Sequence, residues 1–180
     1  MIVILDCEEK FYRDAGVDAV FVGHPLLDAV MPVDREAVRR EMKAKEMLVG
    51  LLPGSRWKQF KSLFPMMLDA AALIRKDYPE TRFVVGCAPI IERKRIESFR
   101  RTAPVDFEAV WGRTPDVMAS SDLLLIASGT ATLEAAIYGT PMIVTYKLNP
   151  LTAYTAGLLV SRTLKIWALP NIIAGRYVVP

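Results

Sequence analysis

Two stretches of this 180-residue chain combine small turn residues with a charged side chain in a way that suits an anion. The first is Ser128-Gly129-Thr130, which ends the apolar run from Asp122 to Ala127 and precedes Leu133, Ala136 and Ile137 at helical spacing. That order reads as strand, tight turn, helix. A turn of this kind sets unpaired helix N–H groups just beyond a strand's carboxyl end, where a phosphate can sit. Glu134 falls about one turn into the helix, and its carboxylate would accept hydrogen bonds from sugar hydroxyls while repelling a phosphate; a nucleotide offers both groups. The second stretch is Pro53-Gly54-Ser55-Arg56, at the end of the apolar run Met47 to Leu52. The planar guanidinium of Arg56 can hold a phosphate through two parallel bonds. Each stretch also has a plain reading, an ordinary βα turn with a surface Glu134 and an Arg56 paired with a surface acid.

Other reactive residues form no such pattern. His24 is the sole histidine and sits in Gly23-His24-Pro25 with no Ser or Cys motif nearby, which favours a structural hydrogen bond beside a proline turn over catalysis. Cys7 and Cys87 have neither metal-ligand nor redox-pair spacing and suit a reducing cytosol. Lys and Arg are interspersed among acids and the net charge is only +3, so no basic stripe marks a dedicated nucleic-acid surface. No apolar run approaches the roughly 20 residues of a spanning helix, and Asp6, Glu8 and Glu9 follow Met1 to Leu5 too soon for a secretory signal. The expectation is a soluble protein. The abrupt apolar start at Met1 suggests a piece of something larger.

The elements that must position the two turns alternate along the chain. Strands are expected over Met1–Leu5, Ala19–Val22, Met47–Leu52, Arg82–Cys87, Val105–Val110, Asp122–Ala127 and Met142–Tyr146. Helices are expected over Glu8–Ala15, from Arg35 to about Lys45 with Asp34 as cap, and from Ile90 to Arg101. A long amphipathic helix carries Phe60, Leu63, Phe64, Met67, Leu68, Ala71 and Ile74 on one stripe, with Pro65 marking a kink or an early turn. Thr114 caps a short helix with Pro115 at its first position. Pro150 to Arg162 is an apolar helix candidate, read as core packing before membrane contact, and Leu169-Pro170-Asn171 ends a short apolar run. A hinge is placed near residues 24–33. Alternation at this spacing means βαβ units and a mostly parallel, Rossmann-like sheet flanked by helices. Loops at the carboxyl ends of its strands share one crevice, so Ser55, Arg56, Ser128 to Thr130 and Asn171 are candidates to face one ligand.

Four blocks in order carry a resemblance over nearly the whole chain: VGHPLLD (Val22–Asp28), LLPGSR (Leu51–Arg56), ASGTATLEAAIYGTPMIVTYK (Ala127–Lys147) and LPNIIAGRYVVP (Leu169–Pro180). Together they resemble the lipid-A-disaccharide synthase family. The resemblance implies one lobe of the two-lobed GT-B glycosyltransferase architecture. Residues 1–31 would be the hinge-side end of the amino-terminal lobe, and 32–180 the UDP-binding carboxyl-terminal lobe, cut short at its end. It implies an inverting, metal-independent hexosyltransferase with no cofactor. That enzyme joins UDP-2,3-diacylglucosamine to 2,3-diacylglucosamine 1-phosphate and releases UDP. Carried over by position, Gly54, Ser55, Arg56, Ser128, Gly129, Thr130, Glu134 and Asn171 are the donor-binding set: Arg56 near the diphosphate, Glu134 on the ribose and Asn171 in the LPN block. The general base is expected on the other lobe, and no residue here is assigned to catalysis. The family carries an acid shortly after LPGSR, where this chain has Gln59.

The same resemblance implies a cytoplasmic protein held peripherally at the inner membrane, with a homodimer among its expected states and no nucleic-acid partner. The region Leu151 to Val160 is a candidate for membrane contact. Two other readings keep the donor site, namely a UDP-N-acetylglucosamine 2-epimerase-like enzyme and a non-catalytic UDP-sugar binding module. As it stands, the chain is expected to bind donor without turnover.

Overall fold

The computed structural model describes residues 1–147 and 168–180. In chain order these hold β1 (Ile2–Val3), α1 (Asp6–Asp14), β2 (Val20–Phe21), α2 (Leu26–Ala29), α3 (Arg35–Glu41), β3 (Leu48–Leu52), α4 (Trp57–Asp77) and β4 (Arg82–Cys87). There follow α5 (Arg93–Arg100), β5 (Glu108–Trp111), α6 (Thr114–Ser120), β6 (Leu123–Ala127), α7 (Ala131–Ile137), β7 (Met142–Thr145) and α8 (Leu169–Ala174). The five later strands form one sheet in the order β5-β4-β3-β6-β7, and every pairing in it is parallel. β1 and β2 make a separate two-stranded parallel pair before residue 32.

Period-two alternation divides the core. Val49 and Leu51 of β3, Phe83 and Val85 of β4 and Leu125 of β6 face Phe60, Phe64, Met67 and Leu68 of α4. The alternate residues Leu48, Leu52, Val84, Leu124 and Ile126 face Val38 and Met42 near α3, Val117 and Met118 of α6 and Ala135 of α7. Both faces are covered, which is why β3 is buried at every position and its sequence is uniformly apolar or glycine. Gly50 belongs to the α6 side. A methyl group there would come within 2.5 Å of Leu124 Cδ2, 2.7 Å of Ser121 Oγ and 2.9 Å of Val117 Cγ1, so a bare Cα is what lets α6 lie on the sheet.

α4 follows the predicted stripe, burying Phe60, Leu63, Phe64, Met67, Leu68 and Ala71. Pro65 lies well inside it and is exposed, so the carbonyl deprived of a ladder bond is on the solvent side. Asp34 caps α3 by accepting from the Ala37 N–H at 2.9 Å, as its sequence position predicts, but the helix stops at Glu41. Thr114 is the first residue of α6 rather than its cap, and Arg113 takes that place. α5 begins at Arg93 and not Ile90, because Pro89 to Glu92 form a turn first. Leu169-Pro170-Asn171 opens α8 instead of ending a run; Pro170 fits its first turn and Gly175, at φ +63°, closes it. The helix candidate from Pro150 to Arg162, with Leu158 and Leu159, lies outside the described residues.

Asp122 ties the amino-terminal edge of the sheet together. Its Oδ2 accepts from the Leu48 N–H at 2.8 Å and from Arg39 Nη1 at 2.8 Å, and its Oδ1 accepts from Arg35 Nη2 at 2.6 Å. β3, β6 and α3 therefore meet on one carboxylate. Partial burial pushes its pKa up, but the Leu48 amide and the Arg39 and Arg35 charges outweigh that and hold it below the usual aspartate range. A carboxyl depressed in the folded state adds stability above its unfolded value of about 3.9, and that stability is lost as pH falls through the folded value.

Two outcomes follow from this packing. Gly50→Ala should destabilise the chain by about 1–3 kcal/mol through overpacking. Asp122→Asn should cost about 1–2 kcal/mol at pH 7, given partial exposure, with the gap to wild type shrinking as pH drops below 4. Urea melts at pH 7 and pH 3 measure both, and a gap for Asp122→Asn that is the same at the two pH values would refute the ion-pair account.

Candidate anion-binding site

The parallel arrangement places the carboxyl ends of β3, β4 and β6 side by side, and a cavity of about 350 Å³ opens there. The turn after β3 supplies Gly54, Ser55 and Arg56, and the turn after β6 supplies Ser128, Gly129 and Thr130. Leu52, Gln59, Gly86, Ala88, Thr114, Ala127 and Ala131 complete the described wall. No carboxylate, histidine or cysteine is among these residues, and Arg56 is the one cation.

Each turn is shaped by its local sequence. Gly54 has φ +101°, a left-handed conformation open to glycine, and an added Cβ would collide with the Gln59 side chain. This lets the chain reverse within Pro53 to Arg56 and enter α4, which Arg56 caps without any side-chain hydrogen bond. The first ladder bond runs from the Phe60 N–H to the Arg56 carbonyl at 2.9 Å, so the amides of Trp57, Lys58 and Gln59 lie ahead of the ladder. No acid stands in that first turn to offset the helix dipole. After β6, the Ser128 N–H still pairs with the Thr145 carbonyl at 2.9 Å, and Thr132 Oγ1 donates to the Gly129 carbonyl at 2.7 Å, locking the turn onto α7. Two helix starts thus converge on a cavity that carries one guanidinium. Among the described residues Arg56 makes no ion pair, so its plain reading as the partner of a surface acid does not hold.

Six of the eight predicted donor residues line this cavity: Gly54, Ser55, Arg56, Ser128, Gly129 and Thr130. Glu134 and Asn171 do not. Glu134 is half-buried on α7, and burial raises its carboxyl above the usual glutamate range. Asn171 is buried, and its side chain holds the chain's tail: Oδ1 accepts from the Val178 and Val179 N–H groups at 2.8 and 2.9 Å, and Nδ2 donates to the Val179 carbonyl at 2.8 Å. The Pro180 carbonyl then accepts from the Val144 N–H on β7 at 2.9 Å. Gln59, Gly86 and Thr114 are cavity residues that the sequence reading did not select. Gly86 had a legible signal, since a glycine within an apolar strand marks close approach, here to Leu52 Cδ2 at 2.7 Å from an added Cβ.

The remaining reactive groups have other duties. His24 Nδ1 accepts from the Leu26 N–H at 3.1 Å, the structural role expected of it. Burial pushes the Cys87 thiol up to about 12 despite nearby Arg93, which leaves it inert at neutral pH. Among the described residues no three His, Cys, Asp or Glu side chains gather to hold a metal ion, and no helix is long and apolar enough to cross a membrane.

Comparison with known proteins identifies the family. A family profile described as lipid-A-disaccharide synthetase matches residues 1–180. The lipid-A-disaccharide synthase of Anaeromyxobacter sp. (strain K) is 42% identical over 185 residues, and that of Pseudomonas entomophila (strain L48) 39% over 182. Both alignments include 100% of this chain but 47% and 48% of the relatives, so the chain spans about half their length. Among solved structures, the S. aureus MnaA–UDP structure superposes with a TM-score of 0.55 at 15% identity, covering 94% of this chain and 47% of that one. UDP-GlcNAc 2-epimerase from Neisseria meningitidis bound to UDP-GlcNAc gives 0.51 at 16%, covering 88% and 46%. These two share the fold, whereas the sequence relatives share descent across every element that builds the cavity: the chain belongs to the lipid-A-disaccharide synthase family.

Proposed function

We propose that this chain is the donor-nucleotide lobe of a lipid-A-disaccharide synthase. The cavity takes the UDP portion of UDP-2,3-diacylglucosamine, and the complete enzyme transfers the sugar to 2,3-diacylglucosamine 1-phosphate with inversion. The observation that carries this reading is Arg56, without an ion-pair partner among the described residues, in a described wall that holds no carboxylate, between the starts of α4 and α7. Glycosyl transfer leaves a doubly charged diphosphate. Fixed amides and a guanidinium in a shielded cleft stabilise that charge without reorganising, and so supply in the protein what a metal ion would otherwise provide. Glu134 would reach the ribose hydroxyls from the first turn of α7. Asn171 acts at one remove, by holding the tail that borders β7. The general base that takes the acceptor's proton is assigned to the portion of the enzyme outside this chain. The enzyme's working place in this reading is the cytoplasmic face of the inner membrane, where the lipid substrates lie, as a peripheral protein. The identity to synthases across the whole chain favours this reading over epimerisation or passive binding of UDP-sugars.

Calorimetric titration with UDP tests the site. Saturable binding is expected, weakened about 10- to 100-fold by Arg56→Ala, the worth of a charge-assisted hydrogen bond. Glu134→Ala should weaken UDP but leave pyrophosphate binding unchanged. A folded chain that ignores UDP, or an Arg56→Ala variant that binds it as tightly as wild type, would defeat the assignment.

A further inference from the structure

Gln59 stands in the cavity wall with its polar end uncommitted. It is the third residue of α4 and is partly buried. Its carboxamide lies over the bare Cα of Gly54, where a Cβ would come within 2.3 Å of Gln59 Oε1 and 2.7 Å of Gln59 Cδ. Only a glycine at that turn leaves room for it. Among the described residues the carboxamide has no hydrogen-bond partner. A glutamine at this place in a helix can reach back to the backbone N–H of the cap residue, but here the side chain is folded onto the Pro53 to Arg56 turn instead. Its own backbone N–H is one of the three that lie ahead of the α4 ladder.

The charge of this part of the wall is decided at the same residue. The chain has no acid between Glu46 and Asp69, so β3, the turn and the opening turns of α4 hold only cations and neutral residues. Lys58 and Lys61 are exposed and do not line the described cavity, which leaves Arg56 and Gln59 as the polar side chains that the start of α4 presents to it. One is a cation. The other is a neutral amide, able to turn either its oxygen or its NH2 group towards a ligand. Exchanging that NH2 for oxygen, the whole difference between Gln and Glu, would set a carboxylate in the same wall as Arg56.

We propose that Gln59 contacts the diphosphate and sets how firmly this site holds it. Its Nε2–H group donates to a phosphate oxygen, and its neutrality leaves Arg56 and the α4 amides unopposed. The proposal rests on the donor-nucleotide reading above and deepens it, because donor and released UDP present the same diphosphate to the same contact. Gln59 stands where the family pattern has an acid, so the firmer grip belongs to this chain. A merely structural duty, propping the Gly54 turn, predicts something different: an isosteric change would leave binding alone, and a binding loss would come with a loss of stability.

Calorimetric titration of the 180-residue chain with UDP and with inorganic pyrophosphate separates the two. Gln59→Glu keeps the shape and should weaken both ligands about tenfold or more through repulsion. Gln59→Ala should weaken both about 3- to 10-fold through the lost donor. Lys61→Gln removes the same unit of charge from the exposed side of α4, and solvent screening should keep it within about twofold of wild type. Thermal melts give the second readout. A carboxylate in the first turn of a helix is favourable to its dipole, so Gln59→Glu should melt at or above the wild-type temperature while binding more weakly. Wild type that binds UDP, with Gln59→Glu binding it equally well, would overturn the proposal and leave the donor reading standing. Equal losses in Gln59→Glu and Lys61→Gln would also overturn it, by reducing the effect to net charge. Wild type that binds pyrophosphate but not UDP, with both Gln59 variants weakened, would uphold the contact and overturn the nucleotide reading.

Discussion

Everything in this molecule hangs on β3 being a parallel strand with a neighbour on each side and helices on both faces. Parallelism forces the carboxyl ends of β3, β4 and β6 to one edge, and burial on both faces forces the chain to leave that edge through tight turns before it can start a helix. The cavity is a by-product of that constraint. No residue has to be recruited from a distant loop, because turns that must be small to reverse the chain also bare the amides that an anion needs.

The arginines around the sheet divide by what surrounds them. At the amino-terminal edge the cations Arg35 and Arg39 are satisfied by Asp122, while Arg113, which follows the carboxyl end of β5, is tied to Glu41 and Asp116. Among the described residues Arg56 has no ion-pair partner, and the described part of the wall it belongs to has no acid. The arginines that join elements are neutralised by acids, and Arg56 in the cavity wall is not. Such a separation is what distinguishes a binding arginine from a bridging one, since both are equally charged and only their surroundings differ.

The strand-turn-helix order was readable because parallel strands buried on both faces make continuous apolar runs, and the two runs that lead into the cavity end in Pro53-Gly54-Ser55 and Ser128-Gly129. Arg82 to Cys87 matches β4 at both ends, and the α4 stripe identified the residues that fill the larger core. Misreadings cluster at helix starts. Thr114 against Arg113 and Ile90 against Arg93 are differences in cap geometry, which depends on dihedral angles more than on residue type. The start of α8 was missed because proline is compatible with both an ending and a first turn. Of the site, the two glycine-containing turns were legible as motifs. Gln59 and Thr114 were not, because their selection depends on which way a side chain leaves a helix after the sheet has formed. Asn171 shows the converse: a polar residue within a ligand-like block whose hydrogen bonds are taken up by backbone a few residues along.

The separation of the two turns in the chain also has a kinetic side. Gly54 to Arg56 and Ser128 to Thr130 are brought together by the pairing of β6 with the far flank of β3, an out-of-order pairing that closes a long loop across β4 and β5. Loop closure of that kind is entropically costly, so the cavity depends on a long-range pairing and not on local structure. Occupancy of the cavity therefore reports on the joining of β3, β4 and β6, and a chain that has its helices without that pairing lacks the cavity.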